Sequence, residues 1–166
     1  MELVFIRHAD AQSGASYADD SLRALTPKGR QVHEQVAREL HNKGLSPDVI
    51  LCSPRLRAEQ TAWITASAFP GDVPVIEVPE LDGGYDIDRL LQRLEAYLDC
   101  NSIICVGHEP DMTFWTNRLL ADDQPEVSGF SKSGVAALNF DQILEPGFAE
   151  LKYACSADDL LLSNMD

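Results

Sequence analysis

The chain is poor in cations. Thirteen lysines and arginines stand against 27 aspartates and glutamates, a formal net charge of −14 at pH 7. Such a deficit excludes a nucleic-acid backbone and an anionic membrane surface as expected partners. Long hydrophobic runs are missing as well: no stretch approaches the roughly 20 apolar residues that cross a bilayer. The opening MELVFIRHAD has no basic flank before its apolar run, so it reads as a first strand and not as a secretion signal. Cysteine is sparse and unpatterned. Cys52, Cys100, Cys105 and Cys155 form no C-x-x-C pair and no zinc spacing. Cys52 and Cys105 sit in apolar runs, where a thiol serves as a small hydrophobe. Reduced thiols and a cytoplasmic location are therefore expected. Repeats, low-complexity tracts and long linkers are absent too. A single domain over 1–166 is expected, acting as a monomer.

What is present is an alternation of strand-like and helix-like segments. LVFIR (3–7), VILCS (49–53), VPVIEV (73–78) and SIICVG (102–107) are apolar runs of strand length. Thr26-Pro27 reads as an N-cap followed by proline in a first helical turn, with Val32, Val36, Ala37 and Leu40 at helical spacing and Gly44 as a stop. Ser53-Pro54 repeats the cap-plus-proline signal before RAEQTAWITASAF. From Asp86, the residues Ile87, Leu90, Leu91, Leu94 and Leu98 mark a further amphipathic helix, and Pro110 opens another to about Leu120. GVAALNF and FAELKYACS flank a turn at Glu145-Pro146-Gly147, which predicts an antiparallel hairpin. The pattern predicts an α/β fold: a three-layer sandwich, its central sheet mostly parallel with an antiparallel edge, and helices on both faces.

Parallel strands send the loops at their C-terminal ends to one edge of the sheet, where open α/β sheets bind ligands. Three strand ends carry unusual residues: Arg7-His8, then Ser53-Pro54-Arg55 with Arg57 nearby, then Gly107-His108-Glu109-Pro110. Singly each is ordinary. An arginine after a strand is usually solvated, and Ser-Pro is common helix punctuation. Together they place guanidinium forks and imidazoles at one point, which suits a phosphoryl centre. Pro54 and Pro110 would fix helix N-termini, whose free N–H groups favour an anion. A neutral imidazole in line with phosphorus can attack it, and neighbouring cations favour the neutral form. His8, Asp10, His108 and Glu109 also permit a loose metal set, but arginines at the same point oppose a dication, so no metal is expected.

The motifs resemble those of the histidine phosphatase superfamily, the phosphoglycerate mutase-like proteins. R-H-A-D at 7–10 resembles its R-H-G signature, with Ala9 for glycine; S-P-R-L-R-A-E-Q-T-A at 53–62 and V-G-H at 106–108 resemble two further motifs. S-L-R-A-L-T-P-K-G at 21–29 resembles the R-x-L-T-x-x-G segment of the short SixA-type phosphohistidine phosphatases. The resemblance implies a metal-independent, cofactor-free phosphatase. His8 would be the nucleophile, Arg7 and Arg55 the phosphate clamp, and Arg23 a lining residue. His108 would donate to the phosphate oxygens as the charged imidazolium. Glycine in place of Ala9 would allow an unusual backbone angle that alanine resists.

An ester substrate would need a general acid. Glu80, in VPEL, falls where larger relatives carry one; Asp82, Asp86 and Glu109 are weaker candidates, and Asp10 is expected to order its loop. A phosphohistidine substrate relaxes that need, because its leaving imidazole takes a proton from water. Little chain is left for a lid after Thr61, so an open pocket is expected. The expected partner is a phosphohistidine-bearing protein, the alternative a small phosphorylated molecule. A non-catalytic phosphate-binding module is the third reading.

Overall fold

A computed structural model describes residues 1–84, 86–141 and 143–162. Six strands form one sheet: β1 (Glu2–Arg7), β2 (Val49–Cys52), β3 (Val75–Glu77), β4 (Ser102–Gly107), β5 (Val135–Asn139) and β6 (Glu150–Cys155), in the order β3-β2-β4-β1-β5-β6. β3, β2, β4 and β1 pair in parallel; β5 runs antiparallel to both β1 and β6. This is the mostly parallel sheet with an antiparallel hairpin edge that the alternation predicts.

Helices α1 (Pro27–Asn42), α2 (Leu56–Ser67) and α5 (Ala157–Leu162) cover one face; α3 (Ile87–Leu94) and α4 (Asp111–Leu119) cover the other. The strand pleat divides the apolar runs between them. Leu3, Phe5, Ile103 and Cys105 meet Leu90, Leu94, Met112 and Trp115 on one side. Val4, Ile6, Ile104 and Val106 meet Val36, Leu40, Ala58 and Ala62 on the other. Burial on both faces is why these strands read as unbroken apolar runs. Each such Leu or Ile contributes roughly 1.5–3 kcal/mol, so the central strand ends are held firmly.

The local signals mostly hold. Thr26 caps α1, its Oγ1 accepting from Gly29 N at 2.9 Å, and Gly44 at φ 88° lets the chain turn away. α2 starts later than Ser53-Pro54 suggests: Arg55 is its N-cap residue and Leu56 its first. The Ser53 hydroxyl is bonded across the sheet edge instead, at 2.8 Å from His108 Nε2. α3 stops at Leu94, leaving Leu98 exposed beyond a 3₁₀ turn. β3 keeps only three of the six residues expected, because β2 alone pairs with it. In α5, Ala157 and Leu160 pack under the sheet; of the tail DDLLLSNMD, residues 163–166 lie outside the described residues.

Candidate active site

β1 and β4 are neighbours in register, with Arg7 opposite Gly107, and His8 N donates to Gly107 O at 3.0 Å. The two histidines that follow these strands are therefore adjacent, their ring centroids 5.0 Å apart. Cys52 of β2 pairs with Val106 of β4, which brings Ser53 beside His108. An open pocket of about 550 Å³ results, lined by Arg7, His8, Arg23, Arg55, Arg57, His108 and Lys132 together with Asp82, Gly83, Gly84, Glu109, Pro110 and Asp111.

His8 is 4% exposed. Its Nδ1 lies 2.7 Å from Ala9 O, a carbonyl, so Nδ1 carries the proton and donates. Nε2 is left with a lone pair. Two donors point at it, Arg57 Nε and Lys132 Nζ, each at 3.3 Å. Burial first, then Lys132, pushes the His8 pKa from 6.5 down to about 2. The ring is thus neutral across the physiological range. His108 follows the same rule: burial, then Arg57 and Arg55, push it to about 3. Burial, and then the surrounding guanidiniums, thus oppose the imidazolium expected at His108.

Arg57 is the arginine in contact with His8. Its side chain is 4% exposed, against 33% for Arg55. It sits in the first turn of α2 and also donates to Asp20 O at 2.8 Å and Asp20 Oδ2 at 3.0 Å. Arg55 lines the pocket wall with its fork engaged by Asp82 Oδ1 at 2.5 Å and Asp20 Oδ2 at 3.0 Å. Asp20 also accepts from Arg23 Nε at 2.8 Å, so one carboxylate spans three guanidiniums. Arg7 Nη1 donates to Phe130 O at 2.6 Å. Arg7 Nε and His108 Nδ1 are buried without a hydrogen-bond partner among the described residues, an unusual state for buried nitrogens.

Sequence reasoning singled out Arg7, His8, Arg23, Arg55 and His108, and all five line this pocket. Glu80 does not. Its carboxylate pairs with Arg93 of α3 at 3.1 and 3.2 Å, and those hydrogen bonds hold it below the usual carboxylate range, ionised rather than acid. Asp10 accepts from Thr26 Oγ1 at 2.9 Å and so ties its loop to α1. Ala9 needs no special angle: Ser133 is the non-glycine residue at positive φ among the described residues. The Ala9 N–H donates to Thr61 Oγ1 at 3.1 Å, which locks the β1 loop to α2.

Two residues at His8 were given no role from the sequence: Arg57, noted only as lying near Arg55, and Lys132. The S-P-R-L-R run offers two arginines, and only the true start of α2 tells which faces inward. Lys132 precedes the antiparallel strand β5, whose Val135 pairs with Ile6. The start of a reversed strand lies at the same sheet edge as the ends of the others, a signal the hairpin pattern carries. Among the described residues no group of three or more His, Cys, Asp or Glu side chains is placed to hold a metal ion. No helix there is long and apolar enough to cross a membrane.

Residues 3–83 match the histidine phosphatase superfamily (branch 1). The phosphohistidine phosphatase SixA of Escherichia coli is 28% identical over 146 residues, 86% of this chain and 87% of SixA. An uncharacterized protein of Picosynechococcus sp. is 37% identical over 141 residues, 83% of this chain and 84% of its own. The solved structure of the protein histidine phosphatase SixA complexed with tungstate superposes with a TM-score of 0.83 at 26% identity, over 96% of this chain and 99% of that one. The alpha-ribazole phosphatase of Shigella flexneri shares the fold, with a TM-score of 0.73 at 21% identity over 95% and 97% of the two chains. With its motif residues delivered to one pocket by β1, β2 and β4, and with relatives matched along most of their length, the chain belongs to the histidine phosphatase superfamily.

Proposed function

We propose that the protein removes phosphoryl groups from phosphohistidine in other proteins, through a phosphorylated His8. The observation that carries this reading is the Nε2 lone pair of His8, fixed by the Nδ1–H to Ala9 O bond and ringed by donors. Nε2 attacks phosphorus as the substrate's P–N bond breaks, and the departing imidazole takes a proton from solvent. Water then attacks the same phosphorus. The P–Nε2 bond breaks, His8 leaves as a neutral imidazole because Nδ1 has kept its proton, and the water's proton goes to solvent. Arg7, Arg57 and Arg23 face the oxygens on which charge gathers, with Arg55 on the wall. Tungstate, a tetrahedral oxyanion, is what the SixA structure holds.

Carboxylates weigh on the substrate. Glu80 is tied to Arg93, Asp82 to Arg55 and Ser53, Asp86 to Arg89 N as the α3 cap, and Glu109 to Thr113 and Phe130 N. Each acts as an acceptor. An alkoxide leaving group would need a proton that none of these four supplies, whereas imidazole needs none from the protein. The reading is completed by a monomer and by a cytoplasmic location, which four free thiols suit.

The test compares a phosphohistidine peptide with simple phosphate esters. The expected result is faster turnover of the peptide, with acid-labile, base-stable label trapped on His8 by rapid quenching. His8→Ala should lose both label and turnover and keep part of its phosphate affinity. Ester hydrolysis at the peptide's rate would favour a small-molecule phosphomonoesterase instead.

A further inference from the structure

We propose that Lys132 is a further catalytic residue: its ammonium, held against Nε2 of His8 by the turn Ser131–Gly134, takes up oxygens of the phosphoryl group that His8 receives. This rests on the reading of His8 as the phosphoryl acceptor. Lys132 Nζ donates to the Nε2 lone pair at 3.3 Å. Once that lone pair forms the P–N bond it accepts no hydrogen bond, and the nearest acceptors become the oxygens on phosphorus. The ammonium transfers its hydrogen bond to them and keeps its protons, so the two-step balance above is unchanged. A lysine here acts as a compact charge beside the guanidinium forks.

The turn is built to hold it. Gly134 N donates to Ser131 O at 2.9 Å, and Arg7 N donates to Gly134 O at 3.1 Å, which fastens the turn to β1. A Cβ on Gly134 would come within 2.9 Å of Ser131 O, so the turn closes only on glycine. Ser133 is buried at φ 59°, a left-handed angle that non-glycine residues adopt only when their surroundings demand it. His33, fully buried in α1, supplies that demand. Thr65 Oγ1 gives its hydrogen to Thr61 O at 2.9 Å, so His33 Nε2–H donates to Thr65 Oγ1 at 2.8 Å, and Nδ1 accepts from Ser133 Oγ at 3.1 Å. The lysine is thus braced from β1 and, through His33, from α1 and α2.

Lys132 is also the cation of the pocket that titrates near neutrality. Arg7 on β1, Arg23 before α1, Arg57 on α2 and the rings of His8 and His108 face it, and Asp10 opposes them, with Asp82, Glu109 and Asp111 also lining the pocket. Burial first, then the three arginines, pull it from 10.5 down to about 8. Rising pH removes its charge and with it this hold on phosphate.

Lys132→Met, Lys132→Gln and Lys132→Arg, each checked for folding by thermal melting, test the proposal against two probes. Inorganic phosphate binding by calorimetry at pH 7 and 9.5 needs no turnover; the second probe is kcat/KM on a phosphohistidine peptide. At pH 7 the Met and Gln variants should lose about 10- to 100-fold in both, the worth of one charge-assisted hydrogen bond. The wild type should weaken between the two pH values while the Arg variant holds. Wild-type affinity, pH profile and turnover in the Met and Gln variants would overturn the proposal and leave the phosphatase reading intact. A wild type that binds phosphate through Lys132 and never labels His8 overturns both, leaving Lys132 a phosphate ligand only.

Discussion

At the scale of single residues, the two arginines of S-P-R-L-R have different work. Arg57 is buried against His8; Arg55 is partly exposed and held by Asp82 and Asp20. Arg57→Lys should lower kcat/KM by about 10²- to 10³-fold, as loss of an oxyanion donor does. Arg55→Lys should cost under about tenfold, in keeping with an exposed pair. Steady-state kinetics on the two variants separates them, and equal losses would refute the assignment. The buried histidines carry a pH dependence. His33 binds a proton near pH 4 when folded and near 6.5 when unfolded, because burial disfavours its charge. Between those values the unfolded chain holds more protons. Stability is full above pH 6.5 and falls toward pH 4 by about 1.4 kcal/mol per unit for each such histidine. His8 and His108, also pushed down, add to the slope. Urea unfolding at pH 7 and 5 should show the loss, and His33→Gln should shrink it.

Elements show how much could be read beforehand. β1, β2 and β4 were legible because each is buried on both faces and so is apolar throughout. Their parallel order then delivered His8 and His108 to one edge. Arg57 was not legible, since a two-residue shift in the start of α2 decides which arginine turns inward. Lys132 was signalled only indirectly, by the hairpin pattern, because its meaning depends on a pairing more than 120 residues apart, β5 with β1. The approach of α1 to the β1 loop was equally hidden. A Cβ on Gly29 would sit 2.2 Å from Asp10 O. Alanine normally favours a helix over glycine by about 1 kcal/mol, but overpacking costs about 1–3 kcal/mol, and here the contact is with backbone. Gly29→Ala should therefore lower the denaturation midpoint. It should also reduce turnover, because Asp10 follows His8 by two residues.

For the molecule as a whole, the net charge of −14 surrounds a cationic pocket. Long-range repulsion of acidic partners and short-range attraction of phosphate then act at different distances. Phosphohistidine peptides with Lys and Arg flanks should be turned over with higher kcat/KM than the same peptides with Asp and Glu flanks. The gap should narrow as salt rises from about 0.01 M, where charges reach about 30 Å, to about 1 M, where they reach about 3 Å. A gap that ignores salt would place the preference in direct contacts at the rim.

The strand order has a consequence for synthesis. β1 is made before the other strands of the sheet, yet its two neighbours, β4 and β5, follow about 95 and 130 residues later. The growing chain thus carries Arg7 and His8 before β4 and β5 are present to hold them. A chain arrested before Gly134 has neither the acceptor for Arg7 N nor a fixed Lys132. On the proposed mechanism the site is complete only once the reversed strand lies beside β1.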